Sequence, residues 1–236
     1  MIRYTGQELP KGCRIALITN DAIGNYVVIT PLIQMLREQH SPSVLHYFGG
    51  SRTEELWVWD PLIDWGYSLH GSDPNESVFR YQVENTDDEA CQIPYDLVIN
   101  AEDACWAKCF AALISSPDTL VCGPALGPTG RKDLPFGEDE RGRLWEDKRW
   151  ISAELPQRYP FLSSGFIGEV LARLCYLDGP LPAYRVARHD AADVPDVLIA
   201  TTASLQEKLW PFQKWKAALE WMRDRGLSVG LLGAAP

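Results

Sequence analysis

The residues best suited to chemistry in this chain sit between a short apolar run and the amphipathic segment after it, in Arg14 to Leu36, RIALITNDAIGNYVVITPLIQML. Ile15-Ala16-Leu17-Ile18 has the length and near-continuous apolarity of a strand covered on both faces. Gly24 and Asn25 read as the turn, and Val28, Leu32, Met35 and Leu36 then recur at helical spacing. A helix starting there turns backbone N–H groups toward the crevice at the carboxyl end of a parallel sheet, a place suited to anions. Asp21, in the same turn, offers a carboxylate that can take a proton or, as aspartates in turns ordinarily do, accept from nearby backbone N–H groups. Asn25 suits the helix cap, but its amide is no base at neutral pH. Glu102 and Asp103, just past the strand pattern of Asp96 to Asn100, are directed to the same crevice by topology; helix-start carboxylates are their ordinary use.

The elements that must position these residues alternate along the chain. Val44 to Phe48 reads as a second strand, Arg52 to Trp59 as a short helix closed by Asp60-Pro61, and Gly66 to Leu69 as a third strand. A helix over Ser77 to Glu84, the strand Asp96 to Asn100, a helix over Ala104 to Ile114 and a strand over Leu120 to Cys122 follow. The charge-dense stretch from Arg131 to Arg149 balances its signs and reads as a solvated loop. Helical spacing returns in Phe166, Ile167, Val170, Leu171, Leu174 and Leu177 and stops at Gly179-Pro180. The aperiodic segment 179–195, with three prolines, reads as a linker between a first domain, 1–178, and a second, 196–236. In the second, Val197 to Ala200 and Leu227 to Leu232 are strand patterns around a helix from Pro211 to Arg225. This order predicts an α/β fold with a parallel sheet. Two strands and one helix leave much apolar surface uncovered, so the second domain is expected to be incomplete.

Two motifs carry a resemblance. The loop Asp21-Ala22-Ile23-Gly24-Asn25 followed by Thr30-Pro31-Leu32, and far downstream Lys208-Leu209-Trp210-Pro211-Phe212-Gln213-Lys214-Trp215, are similar to the Asp-Ala-Leu-Gly-Asp loop with Thr-Pro-Leu and the Lys-x-Trp-Pro-x-x-x-Trp of glycosyltransferase family 9, the bacterial ADP-heptose heptosyltransferases. The resemblance implies a GT-B-like pair of Rossmann-like domains, with the chain stopping early in the second. It implies metal-independent, inverting transfer from a nucleotide-sugar donor such as ADP-heptose to a glycan or glycolipid, as in lipopolysaccharide biosynthesis, with no cofactor. The family's base follows the loop glycine, where this chain has Asn25, which leaves Asp21 as the nearest alternative. Gly24, Glu102 and Asp103 would flank the acceptor. Thr201, Thr202 and Lys208 would hold the donor diphosphate, where hydroxyls, a cation and a helix amino terminus converge on an anion. The amide at Asn25 keeps a second reading open, a sugar- or nucleotide-binding protein without turnover. A nicotinamide-dependent oxidoreductase is a third, opposed by one glycine where that fingerprint has three.

Composition narrows the partners. A formal charge of −10 opposes general affinity for nucleic acid, and 46% hydrophobic residues with 23% charged describe a globular chain. No run reaches membrane-spanning length and the start has no signal-peptide core, which predicts a cytoplasmic protein, at most peripheral to the inner membrane. The six cysteines form no C-x-x-C pair. Cys105 and Cys109, four apart, are expected as buried thiols and not half a metal site, and the four histidines have no ligand spacing.

Overall fold

The computed structural model describes residues 1–70, 73–85, 93–147, 150, 152–187, 193–201 and 206–232. Met1–Ala187 and Arg188–Pro236 form two compact units, dividing within the segment 179–195. The first unit is built on a six-stranded, all-parallel sheet of β1 (Ile2–Arg3), β2 (Arg14–Ile18), β3 (Val44–Gly50), β4 (Trp65–His70), β5 (Leu97–Asn100) and β6 (Leu120–Cys122). Its order is β1-β6-β5-β2-β3-β4. β2 pairs with β3 on one side and β5 on the other, so the order reverses between β2 and β5.

Period-two alternation along the strands feeds two layers. Ile15, Leu17, Leu45, Tyr47, Leu97 and Ile99 pack with α1 (Ile23–His40) and α7 (Ile167–Leu174). Ala16, Ile18, Phe48, Val98 and Val121 pack under α3 (Pro74–Glu84) and α4 (Cys105–Leu113), where Phe48, Tyr81 and Phe110 meet edge to face. Helix α2 (Glu54–Trp57) follows a 3-10 turn over Ser51–Thr53.

Three expectations are corrected. Helix α1 starts at Ile23 with Ala22 as its N-cap, so Gly24 and Asn25 lie inside its first turn, and Asn25 is not the cap. The chain turns earlier because Asn20 Oδ1 accepts from the Ala22 N–H at 2.9 Å, closing an Asx turn. The stretch 131–149 is not a loop throughout: α5 (Glu140–Glu146) buries Leu144 and Trp145, with Asp139 capping it through the Gly142 N–H at 2.8 Å. The pair at Cys105 and Cys109 is exposed, because α4 turns Ala107, Phe110 and Ala111 to the sheet instead.

Pro31 lies in the interior of α1, where it cannot bond the Val27 carbonyl. Thr30 compensates, its hydroxyl donating to Val27 O at 2.8 Å while accepting from the Arg185 N–H at 3.0 Å. The Thr-Pro step thus stays helical and anchors the end of the first unit to α1, helped by an Arg185–Asp60 ion pair and by Gln34, which donates to Ala183 O. A further short helix, α6 (Leu155–Arg158), lies between α5 and α7. In the second unit β7 (Val197–Ala200) pairs in parallel with β8 (Val229–Leu232) around α8 (Phe212–Arg223), which ends at Gly226 in a left-handed conformation.

Candidate functional site

The strand order reverses between β2 and β5, and a small cavity of about 180 Å³ opens just beyond their carboxyl ends. Crevices of doubly wound sheets take their ligands at this position. Thr19 and Asn20 reach it from the end of β2, Ala101 from the end of β5, Asn25 from the first turn of α1, and Trp150 from the chain after α5. Thr19 continues the strand, its N–H donating to Phe48 O at 2.8 Å, and shares a 2.6 Å hydrogen bond with the Tyr47 hydroxyl. Burial pushes the Tyr47 phenol well up from its usual value, so it stays a neutral hydrogen-bonding group. No side chain caps α1 and its first turn holds no acidic residue, so the positive end of the helix is left for a ligand. The polar side chains lining this cavity are hydroxyl and amide, with no carboxylate among them.

Asp21 does not line it. Its Oδ1 accepts from the Arg52 N–H at 2.8 Å, and it packs so tightly on Gly50 that a Cβ there would come 2.0 Å from that oxygen. Asp21 therefore fastens the turn at Ser51–Thr53 to the end of β2.

A larger cavity of about 500 Å³ adjoins the first, with Trp150 lining both. Asp103, Lys108, Asp133 and Glu146 supply its polar lining, and Phe136, Trp145 and Trp150 its aromatic lining. Lys108 Nζ lies 2.9 Å from Asp103 and 2.8 Å from Asp133, and these bonds, Asp133 foremost, push its pKa up. Two buried residues build the walls. Asn100 accepts from the Glu102 N–H at 2.9 Å and donates to Pro124 O at 2.6 Å, joining the loops after β5 and β6. Arg3, on β1, donates to the carbonyls of Val121, Gly123, Leu134 and Pro135 and lies 4.8 Å over the Phe136 ring. Asp103 thus belongs to the larger cavity, while Glu102 lines neither.

In the second unit Thr201 and Lys208 are exposed, Lys208 closing a 3-10 turn over Gln206–Lys208; Thr202 lies outside the described residues. Trp210 and Trp215 meet edge to face at 4.8 Å. Arg3, Asn20, Asn100, Lys108, Asp133 and Trp150 escape sequence reading, although a short Ile-Arg-Tyr run at the start is the kind of signal an edge strand leaves. Among the described residues no group of three or more His, Cys, Asp or Glu could hold a metal, and no helix is long and apolar enough to cross a membrane.

Neither a protein-family model nor a curated protein sequence matches the chain. Its structural neighbours are glycosyltransferase family 9 heptosyltransferases. A family 9 glycosyl transferase from Veillonella parvula matches 97% of this chain at 14% identity and a TM-score of 0.65. The E. coli ADP-heptose lps heptosyltransferase II matches 94% at 12% identity and 0.57, and E. coli heptosyltransferase WaaC with ADP-2-deoxy-2-fluoro heptose matches 94% at 12% identity and 0.55. The chain spans 64%, 65% and 70% of those chains respectively. What is shared is the fold.

Proposed function

We propose that the protein is a glycosyltransferase that moves a sugar from a nucleotide diphosphate, with ADP-heptose the first donor to test, to a hydroxyl of a glycan or glycolipid by inverting displacement. The observation that carries this is the cavity at the β2–β5 reversal, where the uncapped start of α1 and Asn25 meet. In this reading the acceptor hydroxyl enters that cavity and hydrogen-bonds the Asn25 side chain, which orients it without keeping its proton. Asp21, nearest in the chain, takes the proton once its contact with Arg52 loosens. Thr201, Thr202 and Lys208 neutralise the departing diphosphate, so neither metal nor cofactor is required. The protein then works in the cytoplasm, against the membrane face where glycolipids are extended.

A second reading, nucleotide-sugar binding without transfer, is favoured by the missing carboxylate in the Asn25 cavity. Calorimetric titration with ADP and ADP-heptose, alongside release of ADP in the presence of glycan acceptors, separates the two. Binding with turnover supports the transferase, binding alone supports the second reading, and no binding of either nucleotide rejects both.

A further inference from the structure

We propose that the larger cavity, between the loops after β5 and β6, is the acceptor subsite and that it selects a non-anionic sugar ring. The inference rests on the transferase reading and adds the chemical class of its acceptor. At about 500 Å³ the cavity falls within the roughly 300–1,000 Å³ of small-molecule sites. It also shares Trp150 with the Asn25 cavity, so a glycan held in the larger one can extend a hydroxyl into the smaller one.

The lining decides what kind of ring fits. Phe136 is already engaged by Arg3 and by Trp145, whose ring stacks on it at 5.8 Å and 4°, and Trp145 itself is buried. Trp150 is different. It is half-buried, its Nε1 donates to Leu144 O at 2.9 Å, and its ring meets Trp145 edge-on at 5.0 Å. It is thus a fixed aromatic wall against which the C–H face of a pyranose can lie. Around it Asp103, Asp133 and Glu146 are exposed carboxylates, which accept hydrogen bonds from sugar hydroxyls. Three carboxylates face one ammonium, and Lys108 is already shared between Asp103 and Asp133. A sugar carboxylate or phosphate entering here meets like charge with no cation to receive it.

The test uses the full chain and two matched sets of oligosaccharides: glucose- or galactose-terminated, and glucuronate-terminated of the same length. Tryptophan fluorescence and saturation-transfer NMR report binding. The neutral set should bind at least about tenfold tighter than the anionic set. Trp150→Ala should weaken neutral binding roughly tenfold and Trp150→Phe should restore most of it. Glu146→Lys, an exposed change, should narrow the gap between the sets. Equal or tighter binding of the glucuronate set, no binding of either, or indifference to Trp150→Ala in a variant that keeps its melting temperature would overturn the proposal. ADP-heptose titration is run separately; its failure counts against the transferase reading, while the glycan preference is read independently of it.

Discussion

Asn25 and Asp21 divide between them two tasks that a single carboxylate could perform, and the structure gives each a measurable signature. Asn25 reaches the cavity without a base; Asp21 is a carboxylate held by the Arg52 N–H outside it. Asp21→Asn keeps an oxygen for that N–H but removes the base, so it should preserve the fold while lowering any ADP-heptose turnover by roughly two to four orders of magnitude. Asp21→Ala should in addition cost about 1 kcal/mol of stability, because the turn loses its acceptor. Full turnover in Asp21→Asn would assign the proton elsewhere. Asn25→Asp places a carboxylate in the first turn of α1, where the helix end favours it by about 0.3–1 kcal/mol, and activity gained by this variant over an inactive parent would establish the binding reading. Glu169 carries a different kind of prediction. Burial pushes its carboxyl up, but hydrogen bonds from Ser164 Oγ and from the Ser163 N–H and Oγ, with Arg173 nearby, outweigh this and hold it below the usual carboxylate value. The ionised form is thus favoured by folding. Its stabilisation is full above the unfolded carboxyl pKa, near 4.3, and is lost as pH falls through the lower folded value. Glu169→Gln should therefore flatten the acid limb of a stability–pH curve measured by urea unfolding, and an unchanged limb would refute this.

At the scale of elements, β1 is two residues long yet holds the walls of the larger cavity through Arg3. Arg3→Met removes four carbonyl bonds while keeping bulk on Phe136, and should cost about 2 kcal/mol or more. Hydrogen exchange should quicken across residues 124–136, including the Leu134 N–H that donates to Ala125 O at 2.8 Å; protection unchanged there would show that the loop holds itself. This element was also the least legible in the sequence. The five-residue β2 and the helix pattern of α1 announce themselves because burial on both faces or on one stripe leaves a periodic trace. A two-residue edge strand has no period, and α5 hides its apolar pair Leu144-Trp145 among charges. The start of α1 was misread by two residues for a related reason: glycine marks turns in general, but here an Asx turn at Asn20 bends the chain first. Of the site, the crevice and the residues at the ends of β2 and β5 could be read from topology. Trp150, Lys108 and Asp133 could not, since only the folding of loops after β5 and β6 brings them together.

At the scale of the molecule, the two units differ in how well they cover themselves. The first has a core on both faces of its sheet, while in the second α8 has no buried residue, and Phe212, Trp221 and Leu231 are 76%, 53% and 72% exposed. The 236-residue chain should therefore bind a hydrophobic dye such as anilinonaphthalene sulfonate, and a 1–187 fragment should keep the thermal transition of the first unit with much of that dye binding gone. Equal dye binding by both would place the exposed apolar surface in the first unit instead. The first unit has its own asymmetry, set by the pairing of Ile2 with Leu120 and Arg3 with Val121. The strand synthesised first takes its place beside the one synthesised last, and only after β6 has docked on β5. A nascent chain emerging from the ribosome can assemble β2, β3, β4 and β5 early, yet must carry its own beginning unpaired for more than a hundred residues. The closing step is the one with the longest loop to draw in, which makes sealing that edge late and slow relative to the rest of the sheet. Until then β6, and with it the Arg3-clamped wall, presents an open strand to whatever else is being made nearby.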